Sequence, residues 1–161
     1  MMAIIEQLEI HPFCAADQDA AKQLILTGLG ERWGWIDLTL NPELNDIATS
    51  YAEGIFLVGY LGDRLVATGA LTPEVTLAGM DALRVERMSV RADLRRQGIG
   101  RCMLDALLDA ARQQGCRLVV LETTSTWTDA VHFYQHYGFD FVEERDGETH
   151  MQLQLESGDV R

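Results

Sequence analysis

Arg95, Arg96, Gln97, Gly98, Ile99, Gly100 and Arg101 place two glycines among cations, a combination suited to holding an anion. Glycine lets the backbone approach a phosphate closely. Free backbone N–H groups and the dipole at a helix start favour negative charge. The charge distribution sharpens the reading. Six of the 13 Lys and Arg residues, Arg84, Arg87, Arg91, Arg95, Arg96 and Arg101, lie between positions 84 and 101, beside only Glu86 and Asp93. That stretch is about +4 and the remainder about −16, the whole chain being −12. A dinucleotide-binding GxGxxG would need a third glycine where Met103 stands, and a Walker-type lysine is absent. What is left is RxxGxG, from Arg95 to Gly100.

Such a loop works only if a strand delivers it and a helix receives it. Residues 83–90 read as that strand. From Gly98 onward Ile99, Cys102, Met103, Ala106, Leu107 and Ala110 keep helical spacing, with Cys102 as part of the core stripe and Gly115 as the stop. Arg117–Glu122 holds the apolar run expected of a strand covered on both faces. Next, Thr126 or Thr128 caps a helix bearing Ala130, Phe133, Tyr134 and Tyr137, with Thr126 and Asp129 spaced as a capping box. Gly138 ends it, and residues 139–143 and 148–155 pair around Asp146-Gly147.

Upstream, residues 4–10 read as a strand and Asp17 to about Gly28 as a helix with Ala20, Ala21, Leu24 and Ile25 on one stripe. Glycine then interrupts. Trp33 and Trp35 either line a pocket or plug the end of a small core. Asn41-Pro42 opens a second helix through Leu44, Ile47, Ala48 and Tyr51. Residues 55–61 and 64–71 form a hairpin about Gly62-Asp63, and a looser stretch with Pro73 and Gly79 follows.

The 161 residues suit one domain, here 1–155, with 156–161 as a short flexible tail. The net charge and a pI near 4.6 speak against a nucleic-acid partner and suit a cationic acceptor. Cys14, Cys102 and Cys116 are odd in number without CxxC spacing, so neither a disulfide framework nor a metal site is expected. A reducing cytoplasm fits. The first ten residues lack a basic n-region, and no apolar run approaches the roughly 20 residues that span a bilayer, so no membrane partner is expected.

Two motifs in this order resemble those of the GNAT (GCN5-related) N-acetyltransferase superfamily: RxxGxG at 95–100 after a strand, and AxxFYxxxGF as Ala130, Phe133, Tyr134, Gly138 and Phe139. The resemblance covers residues 3 to 155. It implies an α/β (α+β) fold, a single domain whose mixed twisted sheet of about seven strands is flanked by four helices. It also implies acetyl-CoA as cosubstrate. Met88, Ser89 and Val90 would lend backbone groups to the pantetheine arm, and Arg95, Arg96, Gln97, Gly98, Ile99, Gly100 and Arg101 would bind the pyrophosphate. Ala130 and Phe133 would flank the coenzyme, with Tyr134 as general acid at the thioester sulfur.

Two positions depart from the family pattern. Trp127 stands where many members carry Asn, and Arg84 where many carry Glu. The nearest acid to the latter, Glu86, falls on the same strand face as Arg84. It is either the base that takes the amine's proton or the ion-pair partner of Arg84 or Arg87. Tyr134 is likewise either the acid or a core aromatic. The activity implied is acetyl transfer from acetyl-CoA to a primary amine of a small molecule, peptide or protein by direct attack. The alternatives are a catalytically inactive coenzyme-A-binding module of the same fold and an unrelated phosphate-binding α/β protein. Family habit allows a homodimer.

Overall fold

The computed structural model describes residues 3–35 and 39–156. In chain order its elements are α1 (Ile4–Gln7), β1 (Glu9–Pro12), α2 (Gln18–Trp33), α3 (Ile47–Ser50), β2 (Ile55–Leu61), β3 (Arg64–Val75), β4 (Asp81–Val90), α4 (Ile99–Gln113), β5 (Leu118–Thr124), α5 (Thr128–Tyr137), β6 (Asp140–Arg145) and β7 (Glu148–Gln154). Short 3-10 turns lie at Ala15–Asp17, Pro42–Asn45 and Ala92–Leu94. The strands form one sheet in the order β1-β2-β3-β4-β5-β7-β6. The β4–β5 ladder is parallel, while the β1–β2, β2–β3, β5–β7 and β6–β7 ladders are antiparallel. The class and the seven strands agree with expectation. The described α-helices number five rather than four, the addition being the single turn α1.

Several local expectations are corrected. Ile4–Gln7 is a helical turn, and the first strand begins only at Glu9. Helix α2 runs through Gly28 and Gly30 to Trp33 and stops at Gly34, whose φ is +80°. An internal glycine costs only about 1 kcal/mol against alanine, and buried Ala21, Ile25 and Leu26 hold the helix to the core. Ala20, expected on that stripe, is exposed. The helix expected from Asn41 is instead a 3-10 turn and then α3, capped by Asp46, whose carboxylate accepts from the Thr49 amide at 3.2 Å and hydroxyl at 2.9 Å. At α5 the N-cap is Trp127, with no side-chain cap bond, so the Thr126–Asp129 box is not formed. Trp33 and Trp35 are 44% and 57% exposed, so neither plugs a core. Residues 36–38 of that connection and 157–161 of the expected tail lie outside the described residues.

The chain forms two compact units, one of residues up to Thr72 with Glu86–Leu107, the other of Pro73–Val85 with the residues from Leu108 on. In the first, Ala21, Ile25 and Leu26 of α2 cluster with Leu44, Ile47, Tyr51, Phe56, Val58 and Ala70. Gln18 ties α2 to this group: its Nε2–H donates to the Leu44 carbonyl at 2.8 Å and its Oε1 accepts from the Ile47 amide at 3.0 Å. Beneath α2, the buried Asp17 carboxylate accepts from the Tyr60 hydroxyl and, at 2.9 Å, from the Cys14 amide. In the second unit, β7 pairs with β5 from Leu118↔Gln154 to Thr124↔Glu148 and with β6 on its other side. Strand β6 ends the sheet, its register slipping between Phe141 and Glu143. Asp146 and Gly147, at φ +55° and +80°, make the expected turn. Among the described residues, no helix is long and apolar enough to cross a membrane.

Candidate active site

The phosphate-loop residues lie in the first unit. After the 3-10 turn at Ala92–Leu94, Arg96 takes φ +63° and Gly98 φ +90°. A side chain at Gly98 would be strained by that φ, and its Cβ would come 3.2 Å from Ile5 Cγ2. Ile99 is 1% exposed and anchors the first turn of α4, while Arg96, Gln97, Gly98 and Arg101 stand exposed and Gly100 half-buried. The Cys102 amide donates to the Gly98 carbonyl at 3.0 Å. The amides that precede it at the helix start have no intrahelical acceptor. Arg95 is engaged by the protein itself: its Nε–H donates to the Val90 carbonyl at 3.0 Å and its Nη2 to Glu31 of α2 at 2.8 Å. Cys102, expected in the core stripe, is only half-buried.

Strand β4 leads into this loop through an irregularity that the sequence does not advertise. Arg87 has φ +57°. The Thr72 hydroxyl donates to the Glu86 carboxylate at 2.6 Å. Thr72 follows Ala70 by two residues and shares its strand face, the face that meets α2 in the cluster with Ala21 and Ile25. Arg87 turns to this face as well, donating to Tyr51 Oη at 2.8 Å, Asn41 Oδ1 at 3.3 Å and the Glu43 carboxylate. Two successive side chains thus point one way, the mark of a bulge. Met88 then turns to α4, where its sulfur, Met103 and Leu107 crowd Gly69. Ser89 returns to α2, its Oγ 3.2 Å from where a Cβ of Gly28 would stand. Met88, Ser89 and Val90 are half-buried. Burial pushes the Tyr51 phenol up, and the Arg87 bond pulls it partly back.

Ala130, Phe133 and Tyr134 belong to the second unit. Helix α5 buries Tyr134 to 8% exposure and leaves Ala130 and Phe133 half-buried. The Tyr134 ring meets Phe133 edge-on at 5.1 Å and Phe139 at 5.7 Å. Burial alone drives its phenol pKa well above the ordinary value, so the hydroxyl keeps its proton through any working pH.

The same unit holds a charged row that local motif reading missed. Arg84 Nη1 donates to Glu122 Oε1 at 2.9 Å, and its Nε lies 3.1 Å from Glu74 Oε1, near enough for an ion pair but without hydrogen-bond alignment. Glu122 Oε2 is 3.5 Å from His150 Nδ1. These four residues come from β3, β4, β5 and β7, and Glu122 and His150 are direct ladder partners. The acid that the family pattern puts at position 84 is thus replaced by a cation flanked by acids from neighbouring strands. The Arg87 guanidinium goes to Asn41, Glu43 and Tyr51.

Comparison with known proteins agrees with this architecture. The model of the acetyltransferase (GNAT) family matches residues 19–139. The chain is 32% identical over 120 residues to N-acetyltransferase 8F1 of Rattus norvegicus, covering 72% of this chain and 54% of that protein. It is 30% identical over 109 residues to N-acetyltransferase 8 of Homo sapiens, covering 65% and 48%. The chain spans about half the length of these curated relatives. Among solved structures, a GNAT-family acetyltransferase of Staphylococcus aureus Mu50 superposes with a TM-score of 0.80 at 19% identity, over 92% of this chain and 99% of that one. The PaiA N-acetyltransferase of Thermoplasma acidophilum, solved with coenzyme A, gives 0.77 at 14%, over 92% and 99%. Identities this low speak for the fold alone. The family match over most of the chain, with both motifs on the elements that should carry them, makes this protein a member of the acetyltransferase (GNAT) family.

Proposed function

We propose that the protein is an N-acetyltransferase that moves the acetyl group of acetyl-CoA onto a primary amine of a small molecule, peptide or protein by direct attack. The observation that carries this reading is the loop before α4, where left-handed Gly98 opens a 15-residue helix inside the cationic stretch of an acidic chain. In this reading the pyrophosphate takes the amides from Gly98 to Arg101 and the charges of Arg96 and Arg101. Arg95, held by Glu31 and Val90, shapes the loop, and Gln97 borders it. Met88, Ser89 and Val90 offer backbone groups to the pantetheine arm, and Ala130 and Phe133 flank the coenzyme.

The chemistry asks for two proton transfers. The attacking amine must lose a proton, and the departing thiolate must gain one. Tyr134 serves as the acid, because a phenol carries the proton for the leaving thiolate at neutral pH without any shift. Glu86 takes the amine's proton, its carboxylate oriented by the Thr72 hydroxyl at 2.6 Å. The acidity of the chain suits a cationic acceptor and disfavours nucleic acid. No metal is needed for the steps. Three free thiols suit the cytoplasm, and a homodimer would be read out by sedimentation.

Thiol release from acetyl-CoA across a panel of primary amines tests the proposal. Amine-dependent release is expected, and Glu86→Gln should shift the acid limb of its pH–rate profile while Glu122→Gln should not. Coenzyme binding without release for any amine would make the protein an inactive coenzyme-binding module. No binding at all would remove the phosphate-loop assignment.

A further inference from the structure

The left-handed position in β4 is filled by arginine, although a side chain with a Cβ is strained there and glycine is not. Contacts on both sides of the residue hold it in place. The Arg87 carbonyl accepts from the Thr68 hydroxyl at 2.7 Å. Its guanidinium, 15% exposed, donates to Tyr51 at 2.8 Å, Asn41 at 3.3 Å and the Glu43 carboxylate. The segment that carries those partners is tied to α2, since Gln18 bonds Leu44 and Ile47 and Lys22 donates to Asn45 at 2.6 Å. A bulge needs no arginine, so the clamp points to a task that the backbone alone does not explain.

The consequence of the bulge lies on either side of it. It turns Glu86 and Arg87 to one face and hands Met88 to the other, so the side-chain register of Met88–Val90 depends on it. We infer that Arg87 is a positioning residue whose guanidinium locks this bulge, setting both the presentation of Met88–Val90 and the direction of Glu86. The kinetic half of the inference rests on the function proposed above. The register half does not.

The test compares Arg87→Met, which removes the clamp and leaves the strain, with Arg87→Gly, which removes both. Amide hydrogen exchange at Met88–Val90, acetyl-CoA affinity and kcat are measured well below the melting temperature. In Arg87→Met, exchange should rise about tenfold or more, with acetyl-CoA affinity and kcat each down about tenfold. In Arg87→Gly the bulge forms without strain, so affinity should return to within about threefold of wild type while kcat stays low. Wild-type exchange, affinity and kcat in both variants, with only a lower Tm, would reduce Arg87 to a stabilising ion pair and overturn the inference. Should neither variant fold, Glu43→Gln and Tyr51→Phe each remove one arm of the clamp. Faster exchange at Met88–Val90 is then expected, and unchanged exchange in both overturns the inference. If the wild type binds no acetyl-CoA, the functional reading fails by itself, and the exchange data still decide the clamp.

Discussion

Tyr134→Phe separates catalysis from architecture because the hydroxyl contributes little to packing. The ring keeps its edge-on contacts with Phe133 and Phe139. At 8% exposure the phenol is nearly dry, and burial is what raises its pKa. Removing one uncharged hydroxyl while keeping the ring changes stability by about 0.5–1.5 kcal/mol. Stability should therefore stay within about 1.5 kcal/mol of wild type. Turnover should behave in the opposite way. Loss of a positioned acid costs about 10²- to 10⁴-fold in kcat, which is about 3–5 kcal/mol of barrier. The assay is thiol release under single-turnover conditions, alongside calorimetric acetyl-CoA affinity and thermal unfolding. Unchanged affinity, unchanged Tm and a large fall in kcat are expected. Wild-type kcat where chemistry limits the rate would refute the assignment of Tyr134 as acid. A fall in stability of more than about 2 kcal/mol would mean that the hydroxyl has a structural role as well.

Two further outcomes follow from the first unit. Gly98→Asp brings a side chain to φ +90° within 3.2 Å of Ile5 and a negative charge to the loop; calorimetry should show acetyl-CoA affinity down by about 100-fold or more, with wild-type affinity ruling the loop out. Burial pushes the Asp17 carboxyl up, but bonds from Tyr60 and Cys14 and the charge of His11 outweigh it, leaving its pKa below 3.8. The bond to Asp17, then burial, pushes Tyr60 up to about 12. The Asp17 contribution to stability is present above pH 3.8 and lost as pH falls through the lower folded value, whereas that of Tyr60 is full below pH 10 and lost as pH rises towards about 12. Tyr60→Phe should cost about 1.5–3 kcal/mol at neutral pH and flatten both edges of the denaturation profile, and an unaltered profile would disprove the coupling.

The parts of the fold that were legible in the sequence are those whose signals are local. The β2–β3 hairpin follows from apolar runs about Gly62-Asp63, and α4 from an unbroken stripe closed by Gly115 at φ +77°. In sequence a glycine reads as a stop, while in α2 tertiary burial outweighs its small propensity cost. The break between Pro42–Asn45 and α3 turns on Asp46, a cap hidden inside a continuous apolar period. At the site, the loop and α5 were legible as motifs. The bulge was not, since a left-handed arginine has no compositional signature. Nor was the row Glu74, Arg84, Glu122 and His150, because its members are assembled from four strands.

Strand β6 has a bearing on how the protein behaves at high concentration. As the last strand of the sheet it has, among the described residues, one side of its backbone without a sheet partner, and Phe141 and Val142 are 58% and 48% exposed. Such an edge invites cross-chain pairing and aggregation. The register slip between Phe141 and Glu143 interrupts the straight template that a second chain would need. Asp140, Glu143 and Glu144 add like charges that two copies of the edge would bring together. Replacing those acids by neutral amides would leave the two apolar side chains unguarded and turn the edge from a terminus into a nucleus for insoluble growth.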